Sequence, residues 1–242
     1  MKNSVWVLLL LGAGAISLNA QELPLFVNQG AKSSFEQEFF YNHEKHDLDF
    51  DTRGRVESQH QAAGAALAYN VSETIQVALA GGALLDPQLK SDVSTWRGDS
   101  GYFYDLEVAD HIFPPTENWP GVLVQLGVGS QTSFFNREEV NGAQNLINQK
   151  MRDLRYGGAV VASWKWKVFT PYFGPRVSAS DVKWSDNQAT GGVPSSIEGH
   201  MNKNIGVVLG CTFTIMQGLD VQLEGRALGE TSLRASIKWL KF

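Results

Sequence analysis

One pattern governs most of this chain: apolar and polar residues alternate strictly in short segments separated by breaks. Residues 219–242 show it most cleanly. In LDVQLEGRAL, Leu219, Val221, Leu223 and Ala227 alternate with Asp220, Gln222, Glu224 and Arg226. After a GETS break, Leu233, Ala235, Ile237 and Trp239 alternate with Arg234, Ser236 and Lys238. A period of two places successive side chains on opposite faces of an extended strand, so this stretch reads as a β-hairpin with one oily and one charged face.

The same period recurs upstream. Phe35, Phe39 and Tyr41 oppose Glu36, Glu38 and Phe40; residues 55–69 and 74–79 form a hairpin around a tight turn at residues 70–73; further strands fall near 102–109, 122–128, 155–167, 170–183 and 204–215. Counted with the terminal hairpin, this makes about ten antiparallel strands in a meander, with eight as the alternative. The polar tracts 42–53, 85–101, 135–150 and 185–201 read as long loops, with room for a helical turn or two in 136–149. The short or Pro-rich connections lie at the opposite end. Such alternation suits an all-β, closed antiparallel sheet with both termini at one end.

The N-terminus carries Met1, Lys2, an apolar core from Val5 to Ile16 and small residues after it, the signature of a secretory signal. The expected organisation is therefore a signal peptide over 1–20 and a barrel over 21–242. No run of eighteen or more apolar residues is present to make a membrane helix. The formal charge of −5 argues against nucleic acid as a partner. The single cysteine, Cys211, precludes an internal disulfide and sits in an apolar strand as a small hydrophobe rather than a nucleophile.

Periodicity alone does not say which face of a closed sheet points outward; a soluble barrel would bury the oily one. Three features favour the inverse. The polar face is rich in small residues (Ala62, Gly64, Ala66, Ala78, Gly127, Gly129), which suit a crowded interior. Trp119, Trp164, Trp166 and Trp239 fall at the short-turn end, where an interfacial girdle would lie. The chain also ends on the aromatic Phe242.

In the stretches 218–225 and 236–242 the chain resembles the bacterial outer-membrane β-barrel proteins, a group that includes small porin-like barrels. The resemblance implies a transmembrane barrel in the cell outer membrane, with lipid and the barrel-assembly machinery as partners and Phe242 as part of the assembly signal. Stepping back by two from Phe242 gives Leu240, Lys238 and Ser236, one residue out of phase with the oily face. A bulge near Leu240, or a Phe242 lying past the strand, would reconcile the two.

On this reading the lumen holds a charge network of Glu36, Glu38, Asp105, Glu107, Arg155, Arg176, Glu224, Arg226, Arg234 and Lys238. Closure of the ring should bring Glu36 and Glu38 beside Arg234 and Lys238, because buried charges need partners. The expected role is structural or surface-interacting, with a largely filled lumen and an extracellular ligand for the long loops. A narrow porin-like channel along the Gly/Ala wall is the alternative. A membrane hydrolase using Asp110, His111 or the His43/His46 loop is the third reading, but neither pair has a nucleophile or further carboxylates at a spacing that would converge. No metal, cofactor or catalytic set is expected.

Overall fold

A computed structural model describes residues 35–51, 54–116, 118–186, 195–202 and 204–241. The proposed signal peptide and Phe242 lie outside them. The described residues contain no helix; the strands are β1 (Phe35–Phe50), β2 (Gly54–Asn70), β3 (Ile75–Lys90), β4 (Ser94–Arg97), β5 (Ser100–Phe113), β6 (Gly121–Val140), β7 (Ala143–Ser163), β8 (Phe169–Asp186), β9 (Ser195–Met201), β10 (Ile205–Met216), β11 (Leu219–Ala227) and β12 (Glu230–Lys241). All pairings are antiparallel. β12 pairs with β1, and this closes the ring.

The ring has two circumferences. Near the termini it runs through ten long strands, with β5 between β3 and β6 and β10 between β8 and β11. At the other end the short strand β4 bridges β3 to β6 above β5, and β9 bridges β8 to β1 above β10, β11 and β12. The outer rim is therefore a closed circuit of eight: β1, β2, β3, β4, β6, β7, β8 and β9. Eight strands enclose a space that side chains alone can fill.

Strand lengths explain the narrowing. A membrane strand needs about 9–11 residues. β11 has 9 and β10 and β12 have 12 each, whereas β1 has 16, β2 17, β8 18, β6 20 and β7 21. The longer strands exceed such a span by roughly 15–25 Å, at about 3.3 Å per residue and the usual tilt.

Outward residues in the lower barrel form a continuous apolar belt. Phe39, Leu67, Leu79, Tyr104, Leu106, Val160, Phe173, Val177, Leu209, Leu223, Leu233 and Ile237 are all exposed. Cys211 also faces this belt, half-exposed rather than buried in protein. An exposed apolar surface encircling a closed sheet is unstable in water and is satisfied by lipid. Beyond the belt the two faces exchange character. On β1 the outward positions become Lys45, which is exposed, and Asp47 and Asp49, which are half-buried, while Leu48 and Phe50 point inward and are buried.

That exchange corrects the four loop expectations. Residues 42–50 continue β1, 85–90 continue β3 with 94–97 forming β4, 135–140 and 143–150 continue a hairpin whose turn is only 141–142, and 195–201 form β9. No helical turn occurs in 136–149. The alternation persists through these tracts but its polarity inverts, so in sequence it reads as a break. At the other end, the turn after Asn70 is tight as expected: the Ser72 hydroxyl accepts from the Thr74 and Ile75 amides at 3.2 and 2.9 Å. β12 keeps unbroken register with β1 from Glu230 to Lys241, so no bulge lies near Leu240.

Candidate functional site in the lumen

Because the sheet is closed, the inward positions of all strands share one interior, and the sequence fills it in layers. The outermost layer is apolar: Leu48, Phe50, Val56, Leu89, Trp96, Phe135, Met151, Val182 and Trp184 form one buried cluster inside the eight-stranded rim. Trp184 is its hub, with ring centroids 4.8 Å from Trp96, 5.4 Å from Phe50 and 6.4 Å from Phe135.

Beneath it lies a polar layer centred on Arg155. Its guanidinium donates to Asp153 Oδ2 at 2.6 Å and to Glu44 Oε1, and its Nη2 lies 3.2 Å from His46 Nε2. Glu44 also meets His46 at 2.8 Å and His60 at 3.2 Å. The Gln131 amide donates to Asp153 at 3.3 Å. No group of three or more His, Cys, Asp or Glu among the described residues is arranged to hold a metal ion. His43, three residues from His46, points to the opposite face of β1. The paired-histidine ligand geometry belongs to a helical turn, and this segment is a strand.

The next layer contains the terminal hairpin. Arg234 donates to Glu38 at 3.0 Å, and its guanidinium carbon lies 3.7 Å from the centre of the Phe40 ring. Arg226 donates to Glu224 at 2.7 Å, Arg176 pairs with Glu230, and the Tyr172 hydroxyl donates to Glu224 at 2.9 Å. Nearer the termini, Gln76 donates to Asn70 at 2.8 Å and Asn70 to Glu36 at 3.0 Å, with Lys238 facing the same carboxylate. All ten charged residues assigned to the lumen from sequence therefore point inward. Nine are buried and Arg176 is half-buried.

Asp105 and Glu107 are buried on β5 opposite Gly129 and Gly127. Glu107 is hydrogen-bonded to Gln125, but among the described residues its Oε1 and both Asp105 carboxylate oxygens have no hydrogen-bond partner.

The Gly/Ala wall on β2 and β3 is occupied. A Cβ on Gly64 would lie 2.7 Å from the Phe103 ring and 2.8 Å from the Phe40 ring, whose centroids are 5.8 Å apart. Small residues here make space for two aromatics. Gly210 does the same for Tyr172, whose ring a Cβ would strike.

The four tryptophans lie together at the terminal end of the barrel. Trp119 (75% exposed) is in the connection at residues 114–120, Trp164 and Trp166 are in the turn after β7 rather than in the strand itself, and Trp239 closes the outward row of β12. Trp164 stacks on Phe173 at 5.6 Å. Asp110 and His111, at this same end, are consecutive residues of β5 and both buried, beside the register shift that follows His111. They are remote in the fold from His46.

The sequence reading missed Glu44, His60 and Asp153, and it placed His46 in a loop with His43 rather than in the lumen. The signal was present for Glu44 and His46, since both continue the even-numbered inward phase of Glu36 and Glu38.

No family model matches the sequence, and no curated protein matches it. Solved structures do. The outer-membrane protease OmpT of Escherichia coli aligns with a TM-score of 0.56 at 9% identity, over 91% of this chain and 99% of that one. The translocator domain of the autotransporter NalP of Neisseria meningitidis aligns with a TM-score of 0.51 at 8% identity, over 89% and 91%. At such identities the likeness is one of fold. It agrees with the closed ring, the apolar belt and the charged interior: the chain has the closed antiparallel β-barrel fold that these outer-membrane proteins have.

Proposed function

We propose that this barrel is a sealed, non-enzymatic protein of the outer membrane, with a structural or surface-interaction role performed by the part that stands above the lipid. The observation supporting this most strongly is the buried apolar cluster around Trp184, which lies inside the eight-stranded rim above the charged layers. On this reading lipid surrounds the belt, the assembly machinery reads a signal that includes Phe242, and the outer hairpins meet an extracellular ligand. The four terminal-end tryptophans act as the interfacial girdle. Purified protein in planar bilayers should give no unitary conductance steps; reproducible steps would contradict the reading.

A narrow channel is the second reading, favoured by the unpartnered Asp105 and Glu107 oxygens beside glycines. The same bilayer experiment separates the two, because a channel predicts cation-selective steps that vanish in Asp105→Asn/Glu107→Gln. OmpT is a protease, but Asp110 and His111 of this chain lie at the terminal end of the barrel, remote from the His46 layer. Any hydrolysis detected should survive replacement of both residues.

A further inference from the structure

The charges inside the barrel do not balance. Among the described residues ten carboxylates are buried against four buried cations, with half-buried Arg176 as a fifth. Each arginine already serves another carboxylate: Arg155 donates to Asp153 and Glu44, Arg226 to Glu224, Arg234 to Glu38, and Arg176 pairs with Glu230. Lys238 faces Glu36 and is opposite Asp220 in register. The buried histidines His46 and His60 both stand against Glu44. Asp105 and Glu107 are left over. Arg155, Arg226 and Arg234 are near enough to act on Asp105, yet neither Asp105 oxygen has a hydrogen-bond partner among the described residues, and neither does Glu107 Oε1.

The geometry of the pair indicates what would satisfy it. Asp105 and Glu107 are two residues apart on β5, so both side chains leave the same face with their Cα atoms about 6.6 Å apart. The register places Ala80 and Gly129 beside Asp105, and Ala78 and Gly127 beside Glu107, with Gly157 next to Gly127 on β7. The flanking wall therefore carries nothing larger than a methyl group. Gln76, one diagonal step from Glu107 across β3, is also buried, and its Oε1 is unpartnered among the described residues. Asp105, Glu107 and Gln76 are 3%, 2% and 4% exposed, so bulk water does not solvate them. Every one of these unsatisfied atoms is an oxygen acceptor. A buried carboxylate without a counter-charge is strongly destabilising, and a hard cation is bound by such oxygens.

We propose that Asp105 and Glu107 hold a hard divalent cation of the calcium class inside the lumen, with Gln76 Oε1 and water completing its oxygen shell. Two carboxylates without counter-charges match a charge of two. An all-oxygen donor set suits hard cations rather than the softer metals that take nitrogen and sulfur, and calcium tolerates the irregular geometry that two strands supply. The ion is a structural element whether or not the barrel conducts, so conductance steps in bilayers would remove the sealed reading and leave this one standing. The test is equilibrium dialysis of radiolabelled calcium against the full barrel, refolded in a zwitterionic detergent without lipid, with denaturant unfolding in parallel. Wild type should hold about one calcium per barrel, and EDTA should lower its unfolding midpoint. Asp105→Asn/Glu107→Gln should lose the calcium and unfold at one midpoint in calcium or EDTA, with heat-modifiable gel mobility confirming that it is folded. Asp47→Asn/Asp49→Asn on the exterior should bind as wild type does. Calcium kept by the luminal variant, or lost from the exterior one, would overturn the assignment. So would a wild type that binds no calcium and ignores EDTA, since protons would then neutralise the pair; that arm requires no variant.

Discussion

Along β1 the outward side chains change from Phe35, Phe39 and Tyr41 to Lys45, Asp47 and Asp49, while the inward ones change from Glu36 and Glu38 to Leu48 and Phe50. The strand is continuous and its period never slips; what changes is the solvent. In the belt, lipid takes the apolar face and the charges are paired inside. Above it, water takes the charged face, and the interior becomes an ordinary apolar core. β7 and β8 invert in the same way, with Lys150, Arg152, Asp181 and Lys183 outward and Met151, Val182 and Trp184 inward. A single chain thus builds a membrane barrel below and a water-soluble barrel above, and the point of inversion marks the bilayer surface.

The comparison can be broken from either side. The largest effect should come from Arg155→Leu, which leaves Glu44 and Asp153 buried without their cation and should cost about 3–5 kcal/mol in denaturant unfolding. A charge placed on the two exteriors distinguishes them directly: Ile237→Lys in the belt should cost about 2–4 kcal/mol in lipid vesicles, whereas Asp49→Lys above it should change stability by less than about 0.5 kcal/mol. Gly64→Ala forces its Cβ against the Phe40 and Phe103 rings and should cost about 1–3 kcal/mol, with altered near-ultraviolet dichroism. The smallest effect is expected of Lys45→Gln, which removes an exposed ion pair with Glu57 worth at most about 1 kcal/mol.

The same comparison explains how much was legible in the sequence. Ten strands, the closure of β12 on β1 and the ten inward charges follow from alternation plus the need to pair buried charge; Arg234 meeting Glu38 is that argument realised. The outer barrel was hidden because a reader following one polarity sees His43–Asp47 and Glu138–Asn145 as polar loops. Period, not polarity, was the surviving signal. The partners of Arg155 were hidden for another reason, since Glu44 and Asp153 are far apart in sequence and meet only across the closed lumen. The Gly/Ala wall was legible as an inward face, but whether it lined a pore or accommodated rings depended on Phe40 and Phe103 meeting in space.

The central claim is that β1 leaves the bilayer between Tyr41 and Lys45. Spin labels placed singly at outward positions 35, 39, 41, 45, 47 and 49, on a Cys211→Ser background in lipid vesicles, measure this through relative collision rates with oxygen and a water-soluble nickel chelate. The inversion predicts oxygen-dominated collisions at the first three positions and nickel-dominated collisions at the last three. Oxygen dominance persisting through position 49 would contradict it.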